Sequence, residues 1–342
     1  VLALESVDTS PAARCPTLRA ARKGGRLEAM PAPAVPFRLL PTFHERPWGV
    51  RSLAPWFDLT PAAPVGEAWF TARGCGTSLG EPLGAIIGRD PRGLLGDAAF
   101  PGDEPLLLKL LFTSDRLSVQ VHPGDDYARQ HHGSAGKTEA WHVLDAAPGA
   151  VVGLGFRDAL SPEAARDAAR TGEIERLLAW HPARAGDTFL VPAGTVHAIG
   201  AGLTIAEVQE PSDVTYRLYD YGRPRELHLE HGFTVADLGP YRVENAVTRL
   251  SPARTVLTRC AFFTMETVIA AGRGRWTGGE PFYHLLVGLS GEGVVGDVPV
   301  RAGDVLLVPA GAGAFDVEGR GLRLLVAYTA PQPSRALAHW LG

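Results

Sequence analysis

The residues able to do chemistry in this chain fall in three separated segments: Ser118-Val119-Gln120-Val121-His122-Pro123, Gly136-Lys137-Thr138-Glu139, and Pro192-Ala193-Gly194-Thr195-Val196-His197. Successive side chains of a strand alternate between its faces, so Gln120 and His122 point the same way, and Glu139 can meet them from a neighbouring strand. Two imidazoles, a carboxylate and an amide oxygen suit zinc or another divalent first-row ion, in a site that keeps a position open for water or substrate. That is a catalytic type of metal site. Ser118, two residues before Gln120, shares its face and is a candidate hydroxyl or phosphate contact.

Strands must position these residues. The patterning predicts strands over 105–112, 117–122, 139–144, 186–192, 204–208 and 214–219, so every candidate ligand before residue 140 sits on a strand. Between Ser161 and Ala179 the pattern turns helical, with Ser161 as N-cap, Pro162 in the first turn and an apolar stripe of Ile174, Leu177 and Leu178. A short helical insertion at about 158–182 follows.

The second half repeats the first. Ala185-Gly186-Asp187 through Pro192-Ala193-Gly194 is echoed by Ala302-Gly303-Asp304 through Pro309-Ala310-Gly311, and Trp141-His142-Val143-Leu144 by Tyr283-His284-Leu285-Leu286. The spacing between these blocks is longer in the first copy, by about the size of the helical insertion. Two related β units result, one decorated with helices. In this alignment Glu139 falls opposite Pro281 and His197 opposite Ala314, so the second unit carries no metal site.

The bulk composition agrees. With 342 residues, 45% of them hydrophobic and only 20% charged, the chain can bury a sizeable core and form two domains. Its 40 glycines and 28 prolines are spread between short apolar runs, as turns joining short strands require. A net charge of −4 and a pI near 6.3 exclude a general nucleic-acid or membrane-surface role, so the partner is a small molecule. Cys15, Cys75 and Cys260 form neither a disulfide framework nor a thiolate zinc site, which fits the reducing cytoplasm. No apolar run approaches the roughly 20 residues of a membrane span. Residues 1–29 carry five basic residues and no apolar segment of signal-peptide length, and residues 1–36 are expected to be a disordered or spurious extension. Folded sequence starts near Phe37, with turn signals such as Arg46-Pro47-Trp48-Gly49.

The blocks Ser-x-Gln-x-His-Pro, Gly-Lys-Thr-Glu-x-Trp and Val-Pro-Ala-Gly-x-x-His, with Gly-Asp ahead of the last, resemble the cupin superfamily. Together with the run from Gln209 to Asp220, they are similar to the type I mannose-6-phosphate isomerases in their shorter bacterial form, over about 38–328. The resemblance implies a mainly β fold of two cupin-like (jelly-roll) β-barrel units, a metal-binding one at 37–235 and a metal-free one at 236–342. It also implies a zinc-dependent aldose–ketose isomerase interconverting mannose 6-phosphate and fructose 6-phosphate, with one Zn2+ per chain. The family's metal ligands match Gln120, His122, Glu139 and His197, its active-site arginine Arg217, and its lysine near the metal Lys137. Here Gly124 follows His122-Pro123 where relatives commonly have an acidic residue, a shift expected to affect the loop more than the site.

Such a reaction moves a proton between C2 and C1 through a cis-enediol while the charge on O1 and O2 is held, which a divalent ion does as a Lewis acid. Arg217 offers a permanently charged donor fork to the oxyanion or the phosphate, and Thr215 and Tyr219 are expected on its strand face. The proton carrier is either Lys137, if burial lowers its pKa, or a carboxylate such as Glu207, if desolvation raises its own. Lys137 otherwise binds a phosphate or hydroxyl. The bland readings are that Arg217 pairs with Asp220 or Asp213, that His142 is structural because it faces away from Glu139, and that His131 and His132 sit solvated in a Gly-rich loop. Rival functions are an iron-dependent cupin oxygenase, against which Gln120, Lys137 and Arg217 argue, and a non-catalytic sugar-binding or regulatory cupin. The partner is expected to be a phosphosugar, with no nucleic acid or membrane, and the chain a monomer or small homo-oligomer. Deleting residues 1–29 is predicted to leave activity and melting temperature intact; a loss of the folded state in thermal denaturation would show that the segment belongs to the fold.

Overall fold

The structure, a computed structural model, describes residues 31–97, 100–243 and 247–337. Residues 1–29 of the expected extension, with Cys15, lie outside the described residues, as does His339. The N-terminal strands are β1 (Phe37–Leu40), β2 (Thr42–Val50), β3 (Val65–Trp69), β4 (Gly76–Thr77), β5 (Leu107–Phe112) and β6 (Val119–Val121). There follow β7 (Glu139–Ala146), β8 (Val151–Phe156), β9 (Leu178–Pro182), β10 (Thr188–Val191), β11 (His197–Ile199), β12 (Leu203–Gln209) and β13 (Tyr216–Tyr219). The C-terminal strands are β14 (Thr248–Ser251), β15 (Arg254–Arg259), β16 (Thr264–Trp276), β17 (His284–Val295), β18 (Val298–Arg301), β19 (Val305–Val308) and β20 (Phe315–Tyr328). Helices α1 (Leu83–Arg89), α2 (Pro91–Leu95), α3 (Asp125–His132), α4 (Pro162–Thr171), α5 (Ile174–Leu177) and α6 (Leu229–Val235) lie between them, none long and apolar enough to cross a membrane.

The fold is mainly β and antiparallel, as the sequence predicts. A six-stranded sheet, β10-β7-β12-β5-β3-β2, packs against a five-stranded sheet, β13-β6-β11-β8-β9. The C-terminal sheet runs β14-β15-β16-β20-β17-β19-β1-β4, with β18 on β17. Its stretch β19-β17-β20-β16-β15-β14 reproduces the strand order of the six-stranded sheet. β1 and β4 extend this C-terminal sheet although they come from the N-terminal part of the chain.

The repeated Arg-Ala-Gly-Asp turns fold alike. The Asp187 carboxylate accepts from Arg184 N at 2.8 Å and the Asp304 carboxylate from Arg301 N at 2.9 Å, while Gly186 and Gly303 take φ of 94° and 87°, where only glycine is unstrained. Register then corrects the expected alignment. Glu139 pairs with Val191 and His284 with Val308, so the counterpart of Glu139 is His284 and not Pro281. The extra chain in the first unit is correspondingly three residues longer than the sequence blocks suggest.

Burial explains why β5 reads Leu-Leu-Lys-Leu-Leu-Phe. It lies between β12 and β3 with both faces covered, so all six residues are buried. Leu108, Leu110 and Phe112 join the core between the two large sheets, alongside Leu257, Met265, Leu285 and Leu325. Each such side chain contributes about 1.5–3 kcal/mol by leaving water. The opposite face of β5 turns Lys109 and Leu111 toward the interior of the first unit.

Three local expectations change. The helical segment expected to run to Ala179 divides at left-handed Gly172 into α4 and α5 and ends at Leu177, because Leu178 turns into β9; its start is as expected, with Ser161 Oγ accepting from Ala164 N at 3.2 Å. The Gly-rich loop holding His131 and His132 is instead the end of α3, which opens with Asp125 and Asp126 and closes on left-handed Gly133. The Arg46-Pro47-Trp48-Gly49 segment is not a turn but part of β2. This edge strand absorbs the proline at a bulge where Glu45 and Val50 both lie opposite Val65.

The interior of the second unit is largely apolar but holds one self-neutralised polar cluster. Glu266, fully buried, accepts from Arg254 Nε at 2.5 Å, from Arg254 Nη2 at 2.9 Å and from Tyr328 OH at 2.8 Å. Arg254→Ala, which leaves the carboxylate without its cation, is predicted to destabilise the protein by about 3–5 kcal/mol. Chemical denaturation would measure this, and an unchanged midpoint would remove the pair from the account of stability.

Candidate active site

The expected ligands converge from both sheets of the first unit. Gln120 lies on β6 directly opposite His197 at the start of β11, His122 follows the end of β6, and Glu139 opens β7. His122, Glu139 and His197 are buried, and their ligand atoms all lie within 4.8 Å of one another, forming the only such group among the described residues. His122 Nε2 is 3.6 Å from Glu139 Oε2, and His197 Nε2 is 3.3 Å from Glu139 Oε1.

Backbone carbonyls fix both imidazoles. His122 Nδ1 donates to Val214 O at 3.0 Å and His197 Nδ1 to Thr195 O at 2.8 Å, which leaves each Nε2 lone pair facing Glu139. No hydrogen bond reaches His122 Nε2 or either Glu139 oxygen. Burial pushes His122 down to about 3, aided by the Lys137 ammonium and opposed by Glu139, and burial likewise lowers His197. Burial alone would raise Glu139, but the Lys137 ammonium holds its carboxyl well below the usual range. Neutral imidazoles and an ionised carboxylate with unfilled lone pairs are a donor set fit for a divalent cation.

Gln120 stands at the rim of this group. Its Nε2 is 3.2 Å from His197 Nε2, and its Oε1 accepts from Ser118 Oγ at 3.1 Å. A half-turn of the amide would present Oε1 to the cluster, with the Ser118 hydroxyl then accepting from Nε2.

Lys137 arrives by a tight loop. Its N–H donates to Pro123 O at 3.0 Å, and Gly136 N to Asp125 Oδ1 at 2.8 Å; a Cβ at Gly136 would stand 2.6 Å from Asp125 N. The acidic residue one place beyond Gly124 thus serves the loop. Lys137 Nζ lies 3.2 Å from Glu139 Oε2. Burial works against its charge, but Glu139, Glu207 and Asp213 outweigh burial and raise its pKa, so the lowering that would make it a ready base is not observed.

Gln120 and Lys137, which touch the cluster, also line a cleft of about 460 Å³ together with Ser118, Thr215 and Arg217. Tyr219 does not line it, because the β13–β6 register shifts between Arg217 and Tyr219. Arg217 pairs with neither suggested aspartate. Its Nη1 donates to Glu226 O at 2.9 Å and its Nε is buried without a partner, while Asp220 is taken by Arg223 and Arg225 and Asp213 by Lys109. His142 faces away, with Nδ1 2.9 Å from Thr188 Oγ1, as expected of a structural residue.

The cleft contains charged groups that sequence reading passed over. Lys109 Nζ sits 3.5 Å from Glu207, 3.3 Å from Asp213 and 4.3 Å from the centre of the Trp69 ring. Trp69 Nε1 donates to Glu67 at 2.7 Å, and Arg46 Nη2 to the same oxygen at 2.8 Å. The available signal was a lysine amid the leucines of a wholly apolar strand, where a charge must find partners. Glu207, directly opposite Lys109 on β12, accepts from Trp141 Nε1 at 3.1 Å. Burial and the negative charge of Glu139 raise it to about 7 despite Lys109 and Lys137.

No protein-family model matches the chain. It is 36% identical over 312 residues to the mannose-6-phosphate isomerase ManA of Bacillus subtilis (strain 168), a match spanning 83% of this chain and 96% of that protein. It is also 36% identical over 307 residues to the mannose-6-phosphate isomerase of Streptococcus mutans, spanning 84% and 96%. The crystal structure of mannose 6-phosphate isomerase from Bacillus subtilis superposes with a TM-score of 0.77 at 28% identity, over 86% of this chain and 99% of that one. The apo form from Salmonella typhimurium, at 17% identity and a TM-score of 0.70, shares the fold. A donor set fit for a divalent cation, in contact with Lys137 of a cleft that Lys109 and Arg217 also line, thus sits in a chain that belongs to the mannose-6-phosphate isomerases.

Proposed function

We propose that this isomerase is zinc-dependent and interconverts mannose 6-phosphate and fructose 6-phosphate in the cleft beside His122, Glu139 and His197. The observation that carries the reading is the set of buried, unfilled lone pairs on His122 and Glu139 next to Gln120 and Lys137, which line a cleft that also bears Arg217. His122, Glu139 and His197 would hold the ion, with Gln120 adding its amide oxygen after the half-turn. Bound there, a divalent ion supplies Lewis acidity toward the sugar's O1 and O2.

The chain's own groups do the rest. The unpartnered Arg217 Nε and its guanidinium charge meet the phosphate or the developing oxyanion, and the Lys137 ammonium, held charged by its carboxylate neighbours, binds a hydroxyl or phosphate oxygen. Ser118 offers a hydroxyl contact on the same wall. Glu207, with a pKa near 7, is the better proton carrier: ionised, it takes the proton from C2 of the aldose and, once protonated, returns it to C1, while the O2 hydroxyl proton passes to O1 so that the ketose carbonyl forms at C2. Lys109 and Trp141 hold that carboxylate in place.

The reading also divides the chain into a metal-binding cupin-like unit at 37–235 and a metal-free one at 236–342. β1 and β4 are strands lent to the second sheet. A cytoplasmic location and a small phosphosugar partner accord with it.

A coupled assay with mannose 6-phosphate tests the whole. Chelation is predicted to abolish turnover and zinc to restore it, with about one ion per chain by metal analysis; normal turnover in verified metal-free protein would reject the metal's role. Arg217→Ala is predicted to lower kcat roughly 100-fold or more with little change in melting temperature. Near-normal turnover would remove Arg217 from the mechanism. A base must be ionised to act, so activity that depends on Glu207 rises as pH passes upward through about 7. Glu207→Gln should lower kcat by about 10²–10⁴ and remove that rise from the pH–rate profile, and a profile superimposable on wild type would assign the proton elsewhere.

A further inference from the structure

Arg217 occupies an exposed structural position. β13 is the terminal strand of its sheet, bonded only to β6, and Arg217 stands directly opposite Gln120. In an antiparallel pair a residue's N–H and C=O both point toward the neighbour or both away. Those of Arg217 bond outward, to a residue that belongs to no strand. Arg217 N donates to His228 Nδ1 at 3.1 Å, and His228 N donates to Arg217 O at 2.8 Å.

We propose that His228 is a positioning residue for Arg217, standing in for the strand neighbour that β13 lacks and fixing the guanidinium over the cleft. The proposal rests on the reading of Arg217 as a substrate-binding group. A backbone N–H can only donate, so Nδ1 must be the acceptor and the imidazole proton lies on Nε2, 4.0 Å from Glu226 Oε2. Two residues before His228, the Glu226 carbonyl takes Arg217 Nη1, so one short segment holds both backbone and side chain of Arg217.

That segment is anchored independently of Arg217. Buried Asp220 accepts from Arg223 Nη1 at 3.1 Å and from Arg225 Nε at 2.6 Å and Nη2 at 2.7 Å. Arg223 in turn donates to Asp115 at 2.5 Å and to Arg116 O at 2.8 Å, pinning the segment to the turn that leads into β6. After His228 the chain enters α6, whose Phe233 packs with Tyr216 and Leu218 of β13. His228 is therefore held from both sides, and its ring has one fixed task.

The test combines three variants assayed with mannose 6-phosphate. His228→Leu removes the acceptor at similar volume and is expected to lower kcat roughly 10- to 100-fold, as a displaced catalytic group does. His228→Asn, whose amide oxygen can stand where Nδ1 stood, is expected to recover kcat to within about threefold of wild type. In an Arg217→Ala background, His228→Leu is expected to add less than about a twofold loss, because the two act as one unit. Metal content and melting temperature are measured for each. Should His228→Leu not fold, His228→Gln, whose amide cannot place its oxygen at the Nδ1 position, takes its place. Unchanged kcat in the variant lacking the acceptor, failure of folded His228→Asn to recover, or multiplying losses in the double variant would overturn the proposal. Near-normal turnover in Arg217→Ala alone would instead overturn the reading of Arg217, and the role of His228 with it.

Discussion

The first unit depends on one electrostatic constraint: two imidazole lone pairs and an ionised carboxylate are brought together in the dry interior, where the Gln120 amide meets only the His197 Nε2, the Lys137 ammonium lies beside Glu139, and His122 Nε2 has no donor. Such an arrangement is unfavourable by itself, since buried acceptors lose water and gain nothing. It persists because the surroundings over-determine it. The Val214 and Thr195 carbonyls claim the far nitrogens, Trp141 packs beside His197, and Lys137 brings a positive charge against the near side. The other cations of the cleft are balanced by carboxylates, and Arg217, held by a backbone carbonyl, stands apart from them. Lys109 has Glu207 and Asp213, Arg46 has Glu67, and Arg225 has Asp220.

The meeting of the candidate residues was legible in the sequence because period-two alternation and short, chemically distinctive blocks survive translation into strands. Gln120, His122, Glu139 and His197 meet where those blocks place them. What stayed hidden has physical reasons. Lys109 looks like an interruption in Leu-Leu-Lys-Leu-Leu until its cross-strand neighbour Glu207 is known, and that pairing spans almost a hundred residues. Helix α3 is only eight residues long and ends in two histidines and a glycine, too few periods to stand out from a loop. The Arg46-Pro47-Trp48-Gly49 segment carries genuine turn residues, but an edge strand with a bulge tolerates them. Arg217's true partners, the Glu226 carbonyl and His228, are invisible because one is backbone and the other a ring nitrogen across a loop.

The two large sheets have the same strand order but opposite internal chemistry. Pairing through equivalent strands puts Glu266 of β16 where Lys109 stands on β5, and His284 where Glu139 stands. In the first unit the interior faces a cleft and keeps lone pairs open. In the second, Arg254 and Tyr328 saturate Glu266, and His284 is satisfied by Ser334 at 2.9 Å. The same scaffold thus holds one polar cluster with unpaired acceptor atoms and one whose polar atoms are paired.

The ligands also come from different sheets, His122 and His197 from the five-stranded one and Glu139 from the six-stranded one, and this gives an ion a mechanical role. Bound across them, an ion would clasp the two walls of the unit together and shorten the free loops between residues 122, 139 and 197. At about a thousand times its dissociation constant, such a ligand adds on the order of 4 kcal/mol to the folded state. Loss of metal would therefore let the walls part as well as silence the chemistry, so the apoprotein should be the form most exposed to proteolysis and aggregation.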